Sequence, residues 1–178
     1  LTSTIENARV ATEWETKHGG HFTVVYTIQG WDLDSVKHCA KKLSKLERQH
    51  YALGSLIGVP VREIIRRVSL VREIIGSRPK LHLFGISNIP ALRMIADKVD
   101  SFDSSTPTKA AAFKEIVTKN IERQHVDTGH RTSCQCPICR INPGTLPAKQ
   151  DAKGESKRFN TFRAIHNAYT ITEYVRNL

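Results

Sequence analysis

Apolar positions over residues 1–123 switch repeatedly between a helical period and a strand period. Ile5, Ala8, Val10, Ala11 and Trp14 recur at helical spacing through an amphipathic segment, Thr4 to His18, which Gly19-Gly20 ends. His21 to Ile28 is instead a β-branched and aromatic run closed by Gln29-Gly30, the pattern of a strand and a turn. Asp34 is expected to cap the next helix, Ser35 to Gln49, where Val36, Cys39, Ala40, Leu43 and Leu46 share one face and Cys39 fills core. A short strand, His50 to Leu53, stops at Gly54-Ser55, and Pro60 opens a helix through Ile75. Leu81 to Phe84 predicts a third strand turning at Gly85, Ile89 to Val99 a helix, and Val99 to Phe102 a fourth strand that stops before Asp103.

Strands separated by crossover helices predict parallel β/α units. Half of a (β/α)8 barrel and a flavodoxin-like open sheet both fit, and both gather chemistry at the carboxyl ends of the strands. Those ends carry Gln29-Gly30, Gly54-Ser55-Leu56, Gly85-Ile86-Ser87 and Asp103-Ser104-Ser105. Farther on, Thr106 or Thr108 is expected to cap a helix reaching about Arg123. Residues 127–157 read as loop, and Arg158 to Leu178 as a strongly helical close.

The loop changes the picture through its cysteines. Cys134-Gln135-Cys136-Pro137-Ile138-Cys139 holds three of the chain's four cysteines, and so tight a thiolate triplet can meet one zinc ion (Zn2+) at Zn–S distances of about 2.3 Å. Buried free thiols are one alternative. A disulfide is another, but C-x-C spacing strains it and a reducing compartment would not keep it. The spacing favours metal. His166, presented by the closing helix, is the preferred fourth ligand, with His125 and His130 as competitors; four protein ligands would make the site closed and structural.

Composition adds a partner. A chain of 178 residues, 39% hydrophobic and 25% charged, suffices for a globular domain with a core. Its net charge of +10 and pI near 9.7 draw polyanions through counterion release, so nucleic acid is the natural partner, against the plain alternative of a basic protein with no such ligand. Lys149, Lys153, Lys157 and Arg158 form either a solvated linker or a phosphate-binding rim beside the cysteines. No apolar run approaches a membrane span and no signal peptide opens the chain, so no membrane partner and a cytoplasmic setting are expected. Gly54 to Pro60 lacks the Lys-Ser/Thr of a P-loop. Starting at Leu1 with a helix under way, the sequence reads as a piece of a longer protein.

Four motifs, in order, resemble the guanine transglycosylases, enzymes that exchange guanine for a 7-deazaguanine base in nucleic acid. Cys134-x-Cys136-x-x-Cys139 with His166 looks like the family's zinc motif, the most specific of the four. Val99-Asp-Ser-Phe-Asp-Ser-Ser-Thr-Pro-Thr108 resembles its nucleophile segment, Ile28-Gln-Gly30 its base-recognising turn, and Leu53-Gly-Ser-Leu56 its Gly-Gly-Leu loop. Trp31, Ser55 and Lys109-Ala110-Ala111 depart from the bacterial queuine type. The Ser-Phe-Asp-Ser-Ser-x-Pro run and Arg163-Ala-Ile-His-Asn167 are at least as similar to the branch that inserts 7-deazaguanines into DNA, and archaeosine-type tRNA enzymes are similar too.

The resemblance implies the C-terminal half of a TIM (β/α)8 barrel over residues 1–123 and a zinc-binding subdomain with a C-terminal helix over 124–178. It implies that Asp103 is the nucleophile, where the residues alone favour a helix-capping Asp. It implies that Gln29, Gly30, Gly54, Ser55 and Leu56 bind the base, with Trp31 positioned to stack on a flipped nucleotide; ordinary turn chemistry and packing are the plain alternatives. The family's two upstream aspartates would lie before Leu1. This chain alone is therefore expected to be catalytically silent, with the remainder supplied by its parent chain or a partner subunit; a homodimer is the other assembly considered. The contrasting function is a non-catalytic, zinc-containing nucleic-acid binding module on the same scaffold.

Overall fold

A computed structural model describes residues 1–19, 23–86, 88–126, 134–141, 146 and 155–178. The chain divides into two compact units, Leu1–Ser104 and Ser105–Leu178.

The first unit is built on a four-stranded parallel sheet in the order β1 (Tyr26–Ile28), β2 (His50–Leu53), β3 (Lys80–Leu83), β4 (Ser101–Phe102). Alternation puts Tyr26, Ile28, Tyr51, Leu53, Leu81 and Leu83 in the core, all at most 2% exposed. Burial of an apolar side chain on this scale contributes about 1.5–3 kcal/mol. Helix α1 (Thr2–His18) precedes the sheet, and α2 (Leu33–Ser44) and α3 (Val61–Ile75) connect β1 to β2 and β2 to β3. From α2 come Val36, Cys39, Ala40 and Leu43, and from α3 Ile64, Val68 and Val71, all buried.

The structure corrects several sequence expectations. The α2 cap is Asp32, not Asp34: the Asp32 carboxylate accepts the Ser35 N–H at 2.8 Å, and the Asp32 N–H donates to Ser35 Oγ at 3.0 Å, a reciprocal capping box. The segment expected as a helix from Ile89 consists of two 3-10 turns, Ile89–Met94 and Ala96–Lys98. Buried Ile89, Leu92 and Ile95 fall every third position, which suits three residues per turn, with Ala91 buried beside Leu92. At the amino ends of β3 and β4, Asp100 takes Lys80 Nζ and the Leu81 N–H, both at 2.8 Å, and Arg72 Nη2 at 3.1 Å. Burial pushes this carboxyl up, but the three hydrogen bonds outweigh it and hold the group below the usual carboxylate range.

In the second unit the helix expected to reach Arg123 stops early. Helix α4 covers Thr106–Ala112, Lys114 turns left-handed at φ 58°, and an antiparallel hairpin follows, β5 (Glu115–Val117) with β6 (Arg123–His125). The β-branched pair Ile116-Val117 favours strand. A short helix, α5 (Pro137–Ile141), lies within the cysteine segment, and α6 (Glu155–Arg176) closes the chain. Asn167 on α6 is fully buried. Its amide accepts the Val117 N–H at 2.6 Å and donates to the carbonyls of Pro107 and Glu115, tying α6 to α4 and the hairpin. No described helix is long and apolar enough to cross a membrane.

Candidate metal centre and strand-end cleft

Within the second unit, Cys134, Cys136, Cys139 and His166 converge: their ligand atoms all lie within 4.8 Å of one another. Helix α5 performs the wrapping. The Cys136 N–H points at Cys134 Sγ (3.3 Å) and the Cys139 N–H at Cys136 Sγ (3.4 Å), contacts that favour thiolates. His166 arrives from α6 with Nδ1 at 3.4 Å from Cys139 Sγ and 3.6 Å from Cys136 Sγ. Its other nitrogen lies 3.2 Å from the Val117 carbonyl. A carbonyl only accepts, so Nε2 carries the proton and Nδ1 presents its lone pair to the sulfurs, the outer-shell arrangement of a metal-ligating histidine. Burial pushes the Cys134 thiol up, a cost that a bound cation removes by displacing the proton. All four cysteines are free thiols. The chemistry of this set fits a tetrahedral ion with no open position. Of the competing histidines, His125 sits exposed on β6, outside the cluster, and His130 lies outside the described residues.

In the first unit, register assembles the other candidates. The hydrogen bonds Gly54 N–H to Ile28 O (2.8 Å), Phe84 N–H to Leu53 O (3.0 Å) and Asp103 N–H to Leu83 O (3.1 Å) extend the ladder one residue past the strands. Gln29, Gly54, Phe84 and Asp103 thereby form one row, on the face opposite the leucine core. The Asp103 carboxylate accepts the Gly85 N–H, 3.2 Å from each oxygen, and Oδ1 lies 3.3 Å from His82 Nε2. The side chain is 55% exposed. Helix α4 begins after Ser105 without a side-chain cap bond, so capping does not account for Asp103.

A cleft of about 540 Å3 opens at these ends, lined by Gln29, Gly30, Trp31, Ser55, Leu56 and Gly85 among others. Every base-binding candidate except Gly54 is on that lining. Gln29 Nε2 donates to Thr4 Oγ1 of α1 at 2.5 Å. Trp31 is 73% exposed. The Gly54 N–H is committed to the ladder, and Ser55, at φ 58°, turns the loop.

Arg67 was not among the candidates, and it organises the cleft. Only 4% exposed, it donates from Nη1 to the Gly30 and Ser55 carbonyls (3.3 and 3.2 Å), from Nη2 to the Trp31 carbonyl (2.9 Å), and from Nε to Glu63 (3.2 Å). The available signal was a lone arginine in the apolar stripe Ile64, Val68, Val71.

Gly30 is fixed by close approach. A Cβ there would stand 2.5 Å from Ser35 Oγ and 2.6 Å from the Val36 nitrogen, so α2 must shift. We expect Gly30→Ala to cost about 1–3 kcal/mol, the usual penalty of overpacking, in urea unfolding. Gly54→Ala, whose added carbon meets nothing nearer than 3.8 Å, should cost less; equal losses would contradict this account.

A family model described as queuine tRNA-ribosyltransferase matches residues 1–178. Proteins carrying that name are similar to the chain: from Chlamydia trachomatis serovar L2, 24% identical over 98% of this chain and 46% of that protein; from Protochlamydia amoebophila, 30% over 62% and 30%; and from Chlamydia pneumoniae, 26% over 71% and 36%. The chain thus spans less than half the length of each of these relatives.

Proposed function

The chain belongs to the queuine tRNA-ribosyltransferase family, the guanine transglycosylases, and from that premise we propose that it carries the nucleophile and base-reading half of an enzyme exchanging guanine for a 7-deazaguanine base in tRNA. The observation that carries the reading is the row Gln29, Gly54, Phe84, Asp103: Gln29 and Phe84 line the cleft, and the solvent-reaching Asp103 carboxylate, itself off that lining, is bonded to the N–H of the lining residue Gly85. In this reading the four parallel strands are half of a (β/α)8 barrel. The sequence boundary at residue 123 groups α4 and β5 with the barrel. The compact unit Ser105–Leu178 groups them with α6 and the cysteines, and we adopt that division.

One Asp103 oxygen attacks C1′ of the target nucleotide, forming an ester as the C1′–N9 bond breaks. The electron pair leaves with guanine, which takes a proton from water or an acid outside these residues. The incoming base then attacks C1′ through N9, loses its proton to water, and the ester bond returns its electron pair to Asp103. Gln29 offers both donor and acceptor to a purine edge. The loop's share is assigned to the amides of Ser55 and Leu56, since the Gly54 N–H and the Ser55 carbonyl serve the fold, and Trp31 is the stacking surface. Zinc held by Cys134, Cys136, Cys139 and His166 serves as a closed structural staple. A reducing cytoplasm suits the four free thiols.

The test is exchange of labelled guanine by the complete protein, with tRNA and duplex DNA side by side. We expect label in tRNA. Label in DNA alone would move the chain to the DNA-modifying branch. No label in either, with polyanion binding intact, would favour the non-catalytic zinc-bearing module.

A further inference from the structure

We propose that His82 is a positioning residue for Asp103, holding Oδ1 so that Oδ2 is the oxygen that attacks. The inference rests on the nucleophile reading above and adds a residue to it. In β3, Leu81 and Leu83 are buried in the core, and His82 between them faces the other way. Register sets it directly opposite Ser101, with Asp103 two residues farther along the same face. The ring is held at three points. Nδ1 lies 2.9 Å from Ser101 Oγ, Nε2 lies 3.3 Å from Asp103 Oδ1, and the Phe84 ring meets it edge to face with centroids 4.9 Å apart.

The carboxylate fixes the tautomer. Asp103 can only accept, so Nε2 bears the proton, and in the neutral ring Nδ1 accepts from the Ser101 hydroxyl. The Gly85 N–H, equidistant from both oxygens at 3.2 Å, does not distinguish them; His82 does. Its bond draws on the Oδ1 lone pairs and stops rotation of the carboxylate, leaving Oδ2 the stronger nucleophile. At 26% against 55% exposure, the ring is the sheltered partner and the carboxylate the one open to substrate. A length of 3.3 Å is at the long end, as catalytic hydrogen bonds are before substrate draws them tight.

Two variants of one ring separate positioning from packing. His82→Gln can set an amide N–H where Nε2 stands and reach Asp103. His82→Asn sets it where Nδ1 stands, keeping Ser101 but falling short of the carboxylate. In the complete protein, denaturing-gel trapping of the covalent adduct on tRNA, in single turnover, should stay within about threefold of wild type for Gln. It should fall about 10- to 100-fold for Asn, the scale of a nucleophile misplaced by an ångström, with the KM for tRNA unchanged. Ser101→Ala, which frees the ring but leaves its contact with Asp103, should lose a few-fold and keeps the question open to test if His82→Asn melts early. Equal rates for Gln and Asn in folded protein, or an effect confined to KM, would overturn the assignment while leaving the nucleophile reading intact. Undiminished trapping in Asp103→Asn would overturn both.

Discussion

Asp103→Asn should fold, retain its metal and bind tRNA, yet lose adduct formation and base exchange by about 10^4-fold or more, the scale on which enzymes fall when the nucleophile is removed. Asparagine keeps the size of the side chain and an oxygen that can accept the Gly85 N–H. It removes the charge and the second oxygen that an ester-forming attack requires. Were Asp103 a helix cap, the exchange would be nearly silent, because asparagine caps about as well as aspartate. The contacts already favour loss, since the carboxylate is engaged by Gly85 and His82. Measuring trapped adduct and circular dichroism on the same sample decides it: full activity in a folded Asn variant ends the nucleophile reading.

Comparable in size is the effect of removing the metal. We expect one zinc per chain by mass spectrometry under native conditions, and its chelation to melt the residues around α5 while the parallel sheet survives. Structural zinc sites bind with about 10–16 kcal/mol in small peptides, comparable to a whole domain's usual margin of about 5–15 kcal/mol. His166→Ala removes the ligand that joins α6 to the cysteines, so zinc content should drop well below one. Asn167→Ala is the control. It deletes bonds to Val117, Pro107 and Glu115 without touching a sulfur, so it should lower stability and spare the metal. Unchanged zinc in a folded His166→Ala protein would refute the ligand set.

What could be read from the sequence follows from how local each signal is. His50 to Leu53 was bounded correctly because the buried run Tyr51-Ala52-Leu53 sat between the polar residues ending in His50 and Gly54. The cysteine cluster was legible because its spacing is itself the geometry. The hairpin at Glu115–His125 was hidden, since Lys114 and Ile121 adopt positive φ that neither residue type advertises. Asp32 and Asp34 offer the same side chain two residues apart, and only the reciprocal bond with Ser35 chooses between them. Arg67 and His82 were missed for a different reason: each is one polar residue among several on its element, and the partners that explain it are Gly30, Trp31 and Ser55 for one and Asp103 for the other. Those partners lie elsewhere in the chain and become visible only through strand register.

The three carbonyls gathered by Arg67 bear on how this cleft could be re-engineered or inherited. One guanidinium joins the turn after β1 to the turn after β2, and its own angle is set by Glu63, which also meets Arg66 at 3.5 Å. The two turns therefore behave as one hinged plate rather than as separate loops. A transplant of Gly54–Leu56 alone from a relative with another base preference would land on a plate cut for the original Gly30 and Trp31. With the cleft as the proposed base site, the smallest portable cassette runs from Gln29 through Arg67, helix and strand included, and chimaeras joined inside that interval should express as folded proteins with slack, indiscriminate clefts.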